Sequence, residues 1–173
     1  MDQRYFGHDQ SLVSVLDGGL KKWKQEGKPT VKHKTNINQS VYKAVANKDM
    51  VKSKSDIDEN IKLKNFKVVD ARSYERFKGM VPELRTNVKS GSIKGSYCLP
   101  FTKIINKNNN TFKNNADLNQ IFKEVIDIED NNIVFSCGSG VTASVLALAY
   151  SLINNKYTPT IYDGSWSEYG LIK

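Results

Sequence analysis

Hydrophobic residues are spaced in two ways along the chain, and the two spacings predict strands that alternate with helices. Short apolar runs rich in β-branched or aromatic residues, at 66–71, 132–137 and 158–163, are typical of strands. Residues 116–126 repeat apolar side chains at helical spacing, and residues 141–153 are apolar all round, which indicates a buried helix. Weaker patterns predict strands at 40–45 and 95–101, and helices at 53–63, 73–78 and 165–170. This alternation predicts an α/β fold with a central, mainly parallel sheet that has helices on both faces.

Two groups of reactive side chains follow strands of this predicted sheet. Asp70 lies at the end of one strand, with Arg72 and Arg76 just beyond it, and Cys137 ends another strand. In open parallel sheets the functional site lies beyond the carboxyl ends of the strands. We therefore expect the segment after Asp70 and the loop after Cys137 to meet in one site.

The first residues repeat a pattern that is found again at the end of the chain. Residues 11–27 suggest a strand followed by a helix, as do the last residues. The matching positions are Asp17, Gly18, Gly19 and Trp23 near the start, and Asp163, Gly164, Ser165 and Tyr169 near the end. We expect residues 1–29 to be the last strand and helix of a preceding domain, residues 30–40 a linker, and residues 41–173 the catalytic domain.

Composition narrows the class of protein. The chain is 39% hydrophobic, which suits a packed core, and no apolar run approaches the ~18 residues of a membrane span. The first ten residues lack the basic-then-apolar order of a secretory signal. We therefore interpret Cys98 and Cys137 as free thiols in a reducing compartment, and expect the protein to be cytoplasmic.

The net charge of +8 does not by itself indicate a nucleic-acid-binding protein. Lysines are scattered, no basic stripe is interleaved with aromatic residues, and no nucleic-acid motif is present. Arginine is rare, and three of the four arginines, Arg72, Arg76 and Arg85, fall in one short stretch. A planar guanidinium grips carboxylates in a way that lysine does not, so this stretch is a candidate anion-binding segment.

The sequence Ser-Cys-Gly-Ser-Gly-Val-Thr-Ala at 136–143 joins a predicted strand to a predicted helix. Gly138 and Gly140 permit unusual backbone angles, and the first N–H groups of a helix favour an anion. A thiol at such a place has a depressed pKa and is a good nucleophile. The alternative is that Cys137 is an inert, buried small residue.

Three chemistries could use this loop. A tyrosine phosphatase needs an arginine six positions after the cysteine, and Ala143 stands there. A Cys–His protease needs a histidine beside the thiol, and nothing ties His8 or His33 to Cys137. Sulfur transfer needs only a thiolate and a pocket that stabilises negative sulfur, so it is the reading that the loop favours.

Four motifs make the chain resemble the rhodanese-like sulfurtransferases. They are VVDARSYERFKG, SGSIKGSYCLPF, SCGSGVTAS and YDGSWSEY, spread over the segment from about residue 40 to the end. The resemblance implies a rhodanese-like α/β domain that needs no metal and no organic cofactor. Within this family the Cys-Gly-Ser-Gly-Val-Thr loop is the pattern of the enzymes that use 3-mercaptopyruvate, whereas thiosulfate enzymes carry basic residues there.

The resemblance also assigns roles to residues. Cys137 carries the persulfide, Ser139 polarises the substrate, and Arg76 and Arg85 clamp the donor's carboxylate and keto oxygen. The N–H groups of the loop residues hold the persulfide, and two charged residues support the site. The loop residues are Gly138, Ser139, Gly140, Val141 and Thr142, and the supporting residues are Asp70 and Arg72.

The expected function is transfer of sulfane sulfur from 3-mercaptopyruvate to a thiophilic acceptor, cyanide or a thiol. The alternatives are a thiosulfate:cyanide sulfurtransferase and a non-catalytic persulfide carrier or binding module. Small-molecule donors and acceptors are the expected partners, with neither nucleic acid nor membrane. In the family a preceding domain supplies a histidine and an aspartate to the loop serine, so such a domain, or a second copy of the chain, is a further expected partner.

Three positions depart from the family pattern. Ser92 stands where a histidine is frequent, Cys98 where asparagine is, and Tyr169 where tryptophan is. We interpret all three as structural drift.

Overall fold

The centre of the computed structural model, which describes residues 2–172, is a five-stranded parallel sheet. In chain order the strands are β1 Val51–Lys52, β2 Lys67–Asp70, β3 Tyr97–Cys98, β4 Ile133–Ser136 and β5 Ile161–Tyr162. Their spatial order is β1-β5-β4-β2-β3, and every pairing is parallel. The predicted α/β class with a parallel sheet is therefore confirmed.

Seven helices surround or precede this sheet within the described residues. They are α1 Asp2–Tyr5, α2 Gly19–Gln25, α3 Lys54–Leu63, α4 Tyr74–Phe77, α5 Asn115–Lys123, α6 Val141–Ile153 and α7 Ser165–Tyr169. Short 3₁₀ turns lie at Gln10–Leu12, Lys48–Met50 and Phe101–Ile104. No helix in residues 2–172 is both long enough and apolar enough to cross a membrane.

The two central strands are buried on both faces, which explains their continuous apolar sequence. Alternate residues point to opposite sides of the sheet. On one side Val69 and Phe135 pack with residues of α5 and α6, among them Tyr150. On the other side Val68 and Val134 pack with Ile57, Tyr162 and Trp166, which brings α3 and α7 onto that face. The prediction of helices on both faces is thus confirmed.

Local sequence signals determine where the helices near the site begin. Ser73 caps α4, since its side chain accepts a hydrogen bond from the N–H of Arg76. Gly140 precedes α6 with a φ of +82°, a left-handed backbone angle that glycine adopts readily. The cap of α6 is therefore a backbone turn, and it leaves the first N–H groups of the helix pointing back toward Cys137.

Two strand predictions are wrong. Residues 40–45 form no strand, and Val41 is fully exposed. The position beside β5 is taken instead by Val51–Lys52, a strand too short to give a pattern of its own. Residues 11–17 also form no strand, although α2 follows them as expected.

The segment before β1 contacts the rest of the molecule at several points, and Met50 at its end is buried. Asp17 Oδ1 accepts a hydrogen bond from the N–H of Phe112 at 2.9 Å. Residues 30–40 are exposed and form neither helix nor strand, which suits a connecting segment. The division of the chain into 1–29, 30–40 and 41–173 stays a prediction.

Candidate active site

The candidate site lies at the carboxyl ends of the two central strands. Asp70, the last residue of β2, is in register with Ser136, the last residue of β4, and Cys137 follows directly. The structure therefore brings the segment after Asp70 next to the loop after Cys137, at the edge of the sheet where ligand sites of parallel folds form.

The sulfur of Cys137 faces N–H groups of its own loop. The N–H of Ser139 lies 3.4 Å from Sγ and donates to it. Burial raises the pKa of the thiol, but hydrogen bonds from the Thr142 hydroxyl and from the N–H groups of Ser139, Ala143 and Thr142 outweigh it. The net effect is a pKa below the ordinary cysteine value, because these donors stabilise the thiolate. Only 2% of Cys137 is exposed, so its thiol is shielded from bulk water.

The beginning of α7 turns the carbonyl groups of the loop away from the sulfur. The N–H of Trp166 donates to the carbonyl of Cys137 at 3.0 Å, and the N–H of Ser167 donates to that of Gly138 at 2.9 Å. With the carbonyl groups held on the outside, the remaining N–H groups are free to face inward.

Ser165 holds the cysteine loop in place through hydrogen bonds. Its Oγ accepts hydrogen bonds from the N–H groups of Cys137 and Gly140, at 3.0 and 3.1 Å, and donates to the carbonyl of Tyr162 at 2.8 Å. The residue is fully buried and has a φ of +49°, an angle that is costly for a residue other than glycine. Sequence reasoning gave Ser165 no role, although it lies in the quoted YDGSWSEY motif. Because Gly140 donates to Ser165, its N–H is engaged away from the sulfur, unlike that of Ser139.

The two loop glycines serve different purposes. Gly140 needs its positive φ, and a Cβ there would lie 2.7 Å from Asp163 Oδ1 and 3.1 Å from the Asp163 carbonyl oxygen. Gly138 does not adopt a positive φ, so the prediction that it supplies an unusual backbone angle is wrong. Gly138 instead leaves room for arginine side chains: a Cβ there would lie 3.3 Å from Arg76 Nη2 and 3.6 Å from Arg85 Nη1.

Arg76 and Arg85 converge on the cysteine loop although they are nine residues apart in the sequence. Arg76 lies at the end of the short helix α4, and Arg85 lies in the loop that follows. Arg85 Nη1 is 3.5 Å from the carbonyl oxygen of Gly138. Two guanidinium groups therefore lie beside Gly138, the residue that follows Cys137, where a carboxylate could bind.

Asp70 and Arg72 form a buried ion pair behind these arginines. Both Asp70 oxygens accept from the Arg72 guanidinium, at 2.7 to 3.1 Å, and the N–H of Arg72 donates to Asp70 Oδ1 as well. Burial raises the pKa of Asp70, and the charge and hydrogen bonds of Arg72 oppose that rise. Arg72 also donates to the carbonyl of Gly91 and lies 4.8 Å from the Trp166 ring centroid. This pair joins the segment after β2 to α7.

Glu83 connects the buried pair to the outer arginine, and sequence reasoning missed it. Its carboxylate accepts from Arg72 Nη1 at 2.7 Å and from Arg76 Nη2 at 2.5 Å. Burial raises the pKa of Glu83, but the hydrogen bonds and charges of Arg76 and Arg72 lower it by more. The net shift of the pKa is therefore downward. A glutamate two positions before Arg85 gave no periodic or motif signal that marked this role.

The other predicted site residues lie between Cys137 and the first turn of α6. Ser139 is exposed, and its hydroxyl has no hydrogen-bond partner within residues 2–172. Val141 is 72% exposed. Thr142 is half-buried and acts on the sulfur through both its hydroxyl and its N–H. The arrangement as a whole provides a sulfur whose thiolate form is stabilised by N–H and hydroxyl donors, and two guanidinium groups beside Gly138.

Comparison with known proteins identifies the relatives of this arrangement. The sequence profile of the rhodanese-like domain matches residues 53–171. The 3-mercaptopyruvate sulfurtransferase of Mus musculus is 36% identical over 166 residues, which are 96% of this chain and 54% of that protein. The thiosulfate sulfurtransferase of Gallus gallus is also 36% identical over 166 residues, covering 96% of this chain and 55% of that protein.

A solved structure shares the fold as well. The crystal structure of SseA from Escherichia coli, described as a 3-mercaptopyruvate sulfotransferase, is 30% identical and has a TM-score of 0.77. The match covers 95% of this chain and 60% of SseA. The chain spans about half the length of the curated relatives it matches. The two kinds of relative are equally similar to it, so overall identity does not distinguish the two sulfur donors in their names.

Proposed function

The chain belongs to the rhodanese-like family, and from that premise we propose that it is a sulfurtransferase that works through a persulfide on Cys137. The observation that carries the proposal is the set of N–H donors aimed at the Cys137 sulfur. Those donors favour a thiolate before the reaction and a negatively charged persulfide after it. The same groups therefore support both the attack and the intermediate.

We propose 3-mercaptopyruvate as the donor. The positions directly after the nucleophile, Gly138 and Ser139, carry no positive charge, whereas Arg76 and Arg85 lie beside Gly138. This placement suits a donor whose transferable sulfur and whose carboxylate are separated by a short carbon chain. The sulfur reaches Cys137 while the carboxylate and keto oxygen reach the guanidinium groups.

The first step moves one sulfur atom from carbon to sulfur. The Cys137 thiolate attacks the thiol sulfur of 3-mercaptopyruvate, the S–S bond forms, and the donor's C–S bond breaks. The electron pair leaves as the enolate of pyruvate, which takes the proton that the donor thiol gives up. The products are pyruvate and a Cys137 persulfide anion: the cysteine sulfur and the transferred sulfur together lose the two electrons that the donor carbon gains.

The second step regenerates the thiolate. A nucleophile such as cyanide attacks the outer sulfur of the persulfide, a new bond to sulfur forms, and the S–S bond breaks. With cyanide the products are thiocyanate and the Cys137 thiolate, so charge and electrons balance.

The two cysteines of the chain provide a matched test of this proposal. Exposure to 3-mercaptopyruvate should add the mass of one sulfur atom to the wild-type protein and to the Cys98→Ser variant, and pyruvate should be released in equal amount. The Cys137→Ser variant should gain nothing. A sulfur adduct that maps to Cys98, or none on the wild-type protein, would overturn the proposal.

Thiosulfate is the alternative donor, since one group of relatives carries that name. Kinetics with both donors separate the two. We expect a clearly higher kcat/KM with 3-mercaptopyruvate, and we expect Arg76→Ala and Arg85→Ala to raise its KM. A preference for thiosulfate would make the chain a thiosulfate:cyanide sulfurtransferase instead.

A persulfide carrier without turnover is the second candidate, and the shielding of Cys137 favours it. With only 2% of the residue exposed, a persulfide there would be protected from acceptors in solution. Sulfur loading without thiocyanate formation would support the carrier, and multiple turnovers with cyanide would exclude it.

We further propose a second rhodanese-like domain as partner and the cytoplasm as compartment. The repeat near the start supports the partner: α2 and α7 each begin at a residue with positive φ, +59° at Gly19 and +49° at Ser165. Sedimentation of the chain over a range of concentrations tests whether a second copy fills that role. The free thiol of Cys137 supports a reducing compartment.

A further inference from the structure

Glu83 is a buried negative charge in a site that is built to bind anions. Its side chain is 3% exposed, and each of its oxygens accepts a short hydrogen bond from a different arginine. A carboxylate in this position neutralises part of the positive charge of the site. Its presence therefore needs a functional or structural reason.

The cluster around Glu83 contains three arginines and two carboxylates. Asp70 is satisfied by Arg72, and Glu83 is shared between Arg72 and Arg76. Within residues 2–172 Arg85 forms no ion pair; its guanidinium lies against the carbonyl of Gly138. The cluster therefore presents one net positive charge to a ligand, not the charge that three arginines would suggest.

The cysteine loop itself adds no second positive charge. Gly138, Ser139 and Gly140 are uncharged, and Asp163, whose carboxylate lies next to Gly140, adds a negative charge on the other side of the loop. A buried or half-buried ligand charge that has no opposite charge beside it is strongly disfavoured.

We infer that Glu83 determines the charge of the donor: by neutralising one arginine it matches the site to a monoanionic carboxylate and rejects dianions such as thiosulfate. Glu83 also holds Arg76, whose Nη1 and Nη2 lie 4.0 and 3.3 Å from the position of a Cβ on Gly138. Glu83 is thus a positioning and specificity residue that acts through Arg76. The inference deepens the proposed function and rests on it only for the identity of the natural donor.

The test compares Glu83→Gln, which removes the charge and keeps the shape, with Glu83→Asp, which keeps the charge. The first readout needs no sulfur transfer: the dissociation constants of pyruvate, a monoanion, and sulfate, a dianion, are measured by NMR titration. In the wild-type protein and Glu83→Asp, pyruvate should bind more tightly than sulfate. In Glu83→Gln the preference should shift toward sulfate by about tenfold, an effect that shrinks with added salt.

The second readout is the ratio of kcat/KM for thiosulfate to that for 3-mercaptopyruvate. It should rise about tenfold in Glu83→Gln and stay near the wild-type ratio in Glu83→Asp. Unchanged ratios in a folded Glu83→Gln protein, or equal shifts in both variants, overturn the inference while sulfur loading leaves the proposed function intact. If neither donor loads Cys137, the proposed function fails and the anion titration still decides the role of Glu83.

If Glu83→Gln does not fold, Arg85→Gln provides a second test, because it lowers the net positive charge of the cluster where Glu83→Gln would raise it. Arg85 is exposed, so its replacement should be tolerated. Loss of its charge should weaken sulfate binding more than pyruvate binding, and equal weakening of both would overturn the inference.

Discussion

The two cysteines occupy similar places in the fold, but their pKa values are shifted in opposite directions. Cys98 ends β3 and Cys137 directly follows β4, so both lie at the carboxyl edge of the parallel sheet. Burial and the nearby Asp70 raise the pKa of Cys98 to about 11. Cys137 is the more deeply buried of the two, yet its pKa is lowered.

The difference shows that burial does not determine which thiol is reactive. The only hydrogen bond that the Cys98 sulfur makes within the described residues is one donated to the carbonyl of Arg72, at 3.7 Å, which favours the protonated form. The Cys137 sulfur faces N–H and hydroxyl donors, which favour the thiolate. The direction of the surrounding backbone groups therefore decides whether the pKa of each thiol is raised or lowered. Substitutions that disturb these groups test the comparison.

Gly140→Ala should have the largest effect. It imposes a left-handed φ on alanine and places Cβ 2.7 Å from Asp163 Oδ1, so we expect a loss of about 2–4 kcal/mol of unfolding free energy. Gly95→Ala is the matched control, because Gly95 has a φ of +80° and open space around it. It should cost only about 1 kcal/mol in denaturant unfolding. Equal losses would mean that the contact with Asp163 contributes nothing.

Ser165→Ala should have the second-largest effect. We expect a loss of about 1–3 kcal/mol of unfolding free energy, because the buried N–H groups of Cys137 and Gly140 lose their acceptor. The pKa of Cys137 should also rise as the loop relaxes. Ser167→Ala removes a hydroxyl whose one hydrogen bond within residues 2–172 goes to the Gly164 carbonyl, and it should leave the reactivity of Cys137 unchanged. Thermal unfolding and alkylation kinetics measure the two effects. A Ser165→Ala protein that reacts like the wild type would remove Ser165 from the account.

Thr142→Val should have a smaller, purely electrostatic effect. It keeps the shape of the side chain and removes the hydroxyl that stabilises the Cys137 thiolate. We expect roughly threefold slower alkylation of Cys137 at neutral pH, without loss of stability. Thr142→Ser should restore the rate. If Thr142→Ser reacts as slowly as Thr142→Val, restoring the hydroxyl does not restore the rate, and the hydroxyl alone does not account for the effect.

The smallest predicted effect is a pH-dependent contribution to stability. Because the pKa of Cys137 is lowered on folding, its thiolate stabilises the folded state above the ordinary pKa of 9.0, and this contribution is lost as the pH falls through the folded value. Cys98 has the opposite sign: its contribution is present below 9.0 and is lost as the pH rises toward about 11. Denaturant unfolding of Cys137→Ser and Cys98→Ser from pH 7 to 10 measures both. Curves with the same sign would contradict the comparison.

The parts of the molecule that sequence could predict are those with a local signal. The strands at 67–70 and 133–136 are continuous apolar runs buried on both faces, and α6 is apolar all round, so each was found. The two-residue strand Val51–Lys52 was missed, because its position depends on pairing with Ile161 and Tyr162 far away in the sequence.

The same distinction applies to the candidate site. Cys137 was predicted because a cysteine between a strand and a glycine loop is a local pattern, and the rare arginines stood out against many lysines. Ser165 and Glu83 were missed, since each acts through partners that only the fold brings near. Ser165 contacts Cys137, 28 residues earlier, and Glu83 contacts Arg72, 11 residues earlier.

The central claim is that donors around Cys137 outweigh its burial, and the pKa of this one thiol tests that claim most directly. In the Cys98→Ser protein, Cys137 is the only cysteine of the chain, so its ionisation can be followed by thiolate absorbance as the pH is raised. The account predicts a midpoint clearly below 9.0, the ordinary value for cysteine. A midpoint at or above 9.0 would show that burial prevails, and would contradict the account.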